Sequence, residues 1–283
     1  MTHNSSFKPG PIGVFDSGYG GLTILSEIKE LLPEYDYIYL GDNARAPYGS
    51  RSCELIYEFT LQAVKWLFSQ GCQLVILACN TASAKALRSI QQNDLPQIDS
   101  LKRVLGVIRP TTESIDAITK SKHIAVLGTA ATIHSKAYER EINKHSLNIK
   151  ITTEACPMWV PLVENREYDK EGADYFVKQH LDRVLNKDKE IDAIILGCTH
   201  YPLLLDKIRA YTPNHITLVS QGEYVAKSLK DYLSRHELLA SFCSKNSRTI
   251  YYTTESAERF ENLASFLLNE SITAKKVNLK IEE

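Results

Sequence analysis

Short apolar runs of strand type alternate with longer stretches of helical period along nearly the whole chain, and this alternation limits the fold more than any other feature. The strand-type runs are Ile12–Phe15, Tyr37–Leu40, Leu74–Ala78, Val104–Ile108, Ile124–Leu127, Ile149–Thr152, Ile191–Leu196, Ile216–Val219 and Ile250–Tyr252. After the first, Leu22, Leu25, Ile28 and Leu32 mark one helical stripe. After the second, Leu55, Phe59, Ala63, Trp66 and Leu67 mark another, and Ala257–Leu268 follows the last strand as a helix. Strands that are apolar throughout and separated by amphipathic helices belong in mainly parallel sheets covered on both faces. The expected fold class is α/β.

An internal repeat subdivides this pattern. LVILACNT, beginning at Leu74, and AIILGCTH, beginning at Ala193, align without a gap, so each half has a buried strand ending in a cysteine. Upstream, Ile12–Phe15 leads into Asp16-Ser17 and Ile124–Leu127 leads into Gly128-Thr129. That repeat suggests two similar α/β domains facing each other, against the alternative of a chance likeness between buried strands. The polar stretch Gln91–Lys102 predicts the first crossing between them, and Tyr211–His215, with Pro213 and Asn214, the second. The expected division assigns 1–100 to the first domain, 101–212 to the second, and 213–283 to a return that completes the first.

The 33 Lys+Arg and 34 Asp+Glu leave a formal net charge of −1, which argues against nucleic acid as the main partner because phosphate neutralisation needs a surplus of cations. The apolar runs are far shorter than the ~20 residues of a membrane-spanning helix. The N-terminus, MTHNSSFKPG, has no apolar stretch before the first strand, so no secretory signal is expected. Together these features predict a cytoplasmic protein with reduced cysteines. The six cysteines, Cys53, Cys72, Cys79, Cys156, Cys198 and Cys243, are too few and too dispersed for a disulfide scaffold. None forms Cys-x-x-Cys, so no metal site is expected from them.

In open α/β sheets, ligands gather beyond the carboxyl ends of strands, where helix N-termini present free N–H groups. Four segments fall there. GVFDSGYGGL places Asp16, Ser17 and several glycines between a strand and a helix; Thr23 stands where a dinucleotide fingerprint needs its third glycine, and Asp16 would repel a pyrophosphate. GDNARAPYG follows the second strand, either as a plain turn or as a loop closing on a ligand with Tyr48 and the Gly49 amide as donors. Cys79-Asn80-Thr81 and Cys198-Thr199-His200-Tyr201-Pro202 each leave a buried strand and enter a helix. A thiol at a helix N-terminus should have its thiolate stabilised, lowering a reference pKa of ~8.5.

Free cysteines are commonly buried packing groups, which suits Cys53, Cys72 and Cys243. The matched placement of Cys79 and Cys198 asks for more. Inverting a carbon acid requires one group to take a proton from one face while another delivers a proton to the opposite face. Enantiomers are equal in free energy, so two groups of the same intrinsic acidity make the path nearly symmetric. Two domains each donating a cysteine to one cleft meet that need. A hydrolase using Cys198 with His200 as its partner leaves Cys79 unexplained, and an amino-acid-binding protein closing on its ligand needs neither thiol.

The ordered motifs GVFDSGYGGL, GDNARAPYG, ACNTAS, GTAAT at Gly128–Thr132, ACPMWVPLVE and GCTHYP resemble those of the glutamate racemases, within the aspartate/glutamate racemase family, over residues 11 to 204. His200 in GCTHYP resembles the glutamate branch. The resemblance implies a cofactor-independent proton transfer that interconverts L- and D-glutamate, supplying D-glutamate for peptidoglycan. It implies Cys79 acting on D-glutamate and Cys198 on L-glutamate, with Asp16 assisting the first and Glu164 and His200 the second. It carries substrate contacts to Asp16, Ser17, Tyr48, Gly49, Asn80, Thr81, Thr129, Thr132, Thr199 and His200. It also implies that the two domains are pseudo-symmetric, with the active-site cleft between them. The sequence leaves a homodimer open, and Cys156 within ACPMWVPLVE reads as a packing group near Glu164.

Overall fold

The structure, a computed structural model, describes residues 8–279, so the first seven residues of the N-terminal stretch read above as lacking a secretory signal lie outside it. Ten strands are formed among the described residues: β1 (Ile12–Asp16), β2 (Tyr37–Gly41), β3 (Leu74–Leu77), β4 (Arg103–Gly106), β5 (His123–Gly128), β6 (Lys150–Ala155), β7 (Ala193–Gly197), β8 (Thr217–Val219), β9 (Thr249–Thr253) and β10 (Ala274–Lys276). They build two sheets, one ordered β10-β9-β2-β1-β3-β4 and the other β6-β5-β7-β8. Every named pairing is parallel. The order β2-β1-β3-β4 recurs as β6-β5-β7-β8, so the repeat in the sequence is also a repeat of topology.

The burial pattern explains why these segments are strands. All residues of β1, β2, β3 and β7 are buried, as strands covered by helices on both faces must be. On one face of the first sheet, Leu22, Leu25 and Ile28 of the helix Gly21–Leu31 pack with Val225, Leu229 and Leu233 of the helix Gly222–Arg235. On the other face lies the helix Cys53–Ser69, started by the Ser52 hydroxyl accepting from Leu55 N. Its buried stripe is Ile56, Thr60, Ala63, Val64 and Leu67, rotated from the predicted one: Leu55 is exposed. Phe59 and Trp66 flank the stripe, where Arg45 stacks on one ring and Tyr252 meets the other edge-on. Separate buried clusters cover the two faces of the second sheet.

Both chain crossings lie later than the polar stretches suggested. β4 pairs with β3 in the first sheet, so Gln91–Lys102 does not leave the first half. It is largely helical, through Ile90–Asp94 and Leu95–Ile98, and returns the chain to the same sheet. The crossing follows Gly106, and Ile108, expected in a strand, instead begins the helix Ile108–Ile118. Likewise β8 pairs with β7, so Thr217–Val219 remain with the second half. Polar, proline-containing segments mark surface connections within a domain as readily as between domains. The C-terminal segment then joins the first sheet through β9 beside β2, in register from Tyr37↔Thr249 to Gly41↔Thr253. The edge strand β10 escaped the sequence pattern because only Ala274 of its three residues is buried. No helix of the described residues is long and apolar enough to cross a membrane.

Candidate active site

In each sheet two neighbouring strands, β1 and β3 in the first and β5 and β7 in the second, begin connections that run to opposite sides, which opens a crevice at their carboxyl ends. Asp16 ends β1 and Cys79 lies two residues beyond its neighbour β3. In the other half, Thr129 follows β5 and Cys198 follows the neighbouring β7. These crevices meet, and one small cavity is lined by both thiols together with Ser17, Tyr48, Gly49, Asn80, Thr81, Thr129, Glu164, Thr199 and His200. Asp16 and Thr132 stand just behind the lining, both buried. The cavity measures about 20 Å³, room for one water.

Glycines allow the halves to approach this closely. A Cβ at Gly20 would lie 2.4 Å from Thr199 Oγ1 and 2.5 Å from His200 Nδ1; one at Gly49 would lie 2.7 Å from Thr129 Cβ. The glycines that almost spelled a dinucleotide loop thus serve contact between domains. A hydrogen bond from Thr199 Oγ1 to Asp16 Oδ1, 3.3 Å, crosses the same seam.

On the first side, Cys79 is 5% exposed and caps the helix Asn80–Lys85, its Sγ accepting from Ala82 N at 3.5 Å. Ser17 Oγ lies 3.3 Å from the same sulfur. The predicted lowering of this thiol's pKa is overturned. Burial comes first and the negative charge of Asp16 second, and together they outweigh the bonds from Ser17 and Ala82, pushing the thiol up to about 12. Burial also raises the Asp16 carboxyl, against the charge of His200 and the N–H groups of Gly18 and Gly21.

On the second side, Cys198 Sγ lies 3.9 Å from His200 Nδ1, and His200 Nε2 lies 3.1 Å from Glu164 Oε1. Burial alone would disfavour the imidazolium. The bonds to Cys198 and Glu164 and their negative charge prevail, and hold the His200 pKa well above its ordinary value. Beneath, the Trp159 and Tyr201 rings pack edge-on and Tyr201 donates to Cys156 O, which keeps Cys156 fully buried and its thiol pKa high.

The remaining predicted residues form the floor and one wall. Thr81 Oγ1 lies 2.9 Å from Thr129 Oγ1 and 3.3 Å from Thr132 Oγ1, a hydroxyl cluster shared by both domains. Thr129 caps the helix Ala130–Ser135. Tyr48 borders the cavity, but its hydroxyl donates to the buried Asp42 carboxylate and is not presented as a free donor, contrary to expectation; Gly49 stays at the lining. Pro47 and Val160 complete the wall and were not foreseen, since neither carries a chemical signal in the sequence. Among the described residues no group of three or more His, Cys, Asp or Glu is placed to hold a metal ion.

The arrangement holds two thiols of different surroundings over one small space, with helix N-termini and hydroxyls suited to carboxylates. The family model for Asp/Glu/Hydantoin racemase matches residues 12–228. A glutamate racemase from Ruegeria sp. (strain TM1040) is 40% identical over 275 residues, 93% of this chain and 98% of that protein. Two solved structures are similar throughout. Glutamate racemase isoform RacE1 from Bacillus anthracis has a TM-score of 0.88 and 36% identity, covering 96% of this chain and 99% of its own. The enzyme from Francisella tularensis subsp. tularensis SCHU S4, in complex with D-glutamate, has a TM-score of 0.84 and 33% identity, covering 96% and 98%. With its repeated sheets, its shared cleft and these likenesses, the chain belongs to the Asp/Glu/Hydantoin racemase family, a family of isomerases.

Proposed function

We propose that this protein racemises glutamate by two-base proton transfer between Cys79 and Cys198. The observation that carries the proposal is that both cysteines, at the ends of topologically equivalent strands, line one cavity from opposite domains. In the L-to-D direction, the Cys198 thiolate removes the α-proton and the Cys79 thiol delivers its own to the opposite face. In the D-to-L direction the roles reverse. No cofactor is required by this chemistry, and the protons balance: Cys198 gains the substrate α-proton while the substrate gains the proton of Cys79, which leaves the pair set for the reverse reaction.

The neighbours of each thiol fit unequal tasks. A His200 imidazolium, held by Glu164, stabilises negative charge on Cys198. Ser17 Oγ shares a hydrogen bond with Cys79 Sγ, while Asp16 is the acid–base group behind it. Burial and Asp16 push the Cys79 thiol up to about 12, and the ammonium of a bound amino acid brings positive charge toward it. The helix N-termini after Cys79 and Cys198 and the hydroxyls of Thr81 and Thr129 suit the two substrate carboxylates. Supply of D-glutamate to peptidoglycan, in the cytoplasm, follows from the motif resemblance.

The test is incubation of the purified, reduced protein with each glutamate enantiomer in D2O, with circular dichroism and α-deuterium content followed together. Both enantiomers should converge on the racemate and acquire solvent deuterium. No optical change and no label would refute racemisation. Cys79→Ala and Cys198→Ala should each abolish inversion; full activity in either refutes the two-base assignment, and activity lost only in Cys198→Ala favours one-thiol chemistry.

A further inference from the structure

Asn80, the first residue of the helix that Cys79 caps, lines the cavity and has its side-chain amide bonded at both ends within the protein. Its Oδ1 accepts from Tyr138 OH at 2.7 Å, and its Nδ2 donates to Gln221 Oε1 at 2.7 Å. Gln221 Nε2 donates back to Tyr138 OH at 2.7 Å, closing a ring of three side chains. The same amide nitrogen lies 3.2 Å from Val107 O and 3.3 Å from Thr111 Oγ1. Asn80 and Gln221 are each 2% exposed and Tyr138 1%, so the ring is almost wholly buried. Polar groups so buried are held to a narrow geometry, because any displacement leaves one of them unpaired.

Position in the chain gives this ring its meaning. Asn80 belongs to the first domain and Tyr138 to the helix Ala137–His145 of the second. Val107 immediately precedes the helix Ile108–Ile118, at the first crossing between the sheets, and Gln221 immediately precedes the helix Gly222–Arg235, at the second. Gln221 therefore ties both crossings, and the second domain, to the residue next to Cys79. Because Cys79 Sγ caps the helix that Asn80 begins, the thiol moves with it.

We propose that Gln221 is a positioning residue for proton transfer, fixing through Asn80 and Tyr138 where Cys79 stands relative to Cys198. The proposal rests on the two-thiol chemistry above and adds to it the residue that sets the spacing. Displacement of a reacting group by about 1 Å can cost about 100-fold in rate, so a hydrogen-bonded tie of this kind has kinetic leverage without touching substrate.

The test compares the wild-type chain with Gln221→Met, Tyr138→Phe and the double variant. Gln221→Met keeps the side-chain length and removes every hydrogen bond; it should lower kcat about 10- to 100-fold in both directions with KM within about 3-fold. The double variant should be no slower than Gln221→Met by more than about 2-fold, because the two groups act in one ring. Urea unfolding, run in parallel, separates lost positioning from lost folded protein. Cys79 alkylation by iodoacetamide, located by peptide mass spectrometry, reads the thiol's placement without substrate, and Gln221→Met should change its rate at least about 5-fold while leaving Cys198 within about 2-fold. Unchanged kcat and unchanged Cys79 alkylation in folded Gln221→Met overturn the proposal, as does a raised KM at constant kcat. If wild-type protein fails to racemise, the two-thiol chemistry falls, and the alkylation rates alone decide whether Gln221 places Cys79.

Discussion

The two sides of the cleft share a topology and differ in charge. Cys79 and Cys198 follow corresponding strands, yet one faces Ser17 with the Asp16 carboxyl behind it, and the other faces an imidazole braced by Glu164. The substrates of the proposed reaction are mirror images, but the protein that handles them is not mirror-symmetric. The repeated strand order offers two equivalent places for a thiol, and the residues around each differ. The carboxyl near Cys79 raises that thiol, whereas on the second side it is the imidazole of His200 that is raised, by Cys198 and Glu164.

That contrast can be broken from either side. His200→Asn removes the cation and should carry the largest effect, lowering kcat about 100-fold or more, the range of a lost acid–base partner. Cys198 alkylation at neutral pH should slow as well, with Cys79 alkylation unchanged; equal slowing of both thiols would erase the distinction between the sides. Asp16→Asn comes next, lowering kcat about 10-fold with KM nearly constant, because an assisting group is lost while binding contacts stay. Its titration signature has a definite sign. Negative Asp16 raises the Cys79 thiol, so a neutral amide should bring that thiol down from about 12 and shift its pH–alkylation curve to lower pH.

Glu164→Gln sharpens the contrast with the smallest effect, about 3- to 10-fold on kcat. Glu164 is one of the groups raising the His200 pKa, so the imidazole should titrate at lower pH in this variant. Proton NMR of the His200 ring measures that shift directly. An unmoved titration would mean that Cys198 alone holds the charge on the imidazole.

Sequence exposed the parts of this site that lie at strand ends. Asp16, Cys79, Thr129 and Cys198 each follow an apolar run that reads as a buried strand, so parallel topology puts the first two at one crevice and the last two at another. Glu164 was accessible only through motif resemblance, because a carboxylate inside ACPMWVPLVE carries no positional signal of its own. Gln221 and Tyr138 were invisible, since their roles depend on hydrogen bonds spanning 83 and 58 residues. The acidity of Cys79 was misjudged for a related reason. A helix N-terminus can be read from neighbouring residues, whereas depth of burial and the nearness of Asp16 exist only after folding.

The single-water volume of the cleft has a kinetic consequence. The proposed five-carbon substrate is larger than a space of about 20 Å³, so its binding requires the walls contributed by the two domains to move apart. Binding then draws on an open form, and apparent affinity is reduced by the fraction of molecules that are closed at rest. Observed binding rates should level off with rising glutamate at the rate of opening, so the seam itself can set the pace of turnover.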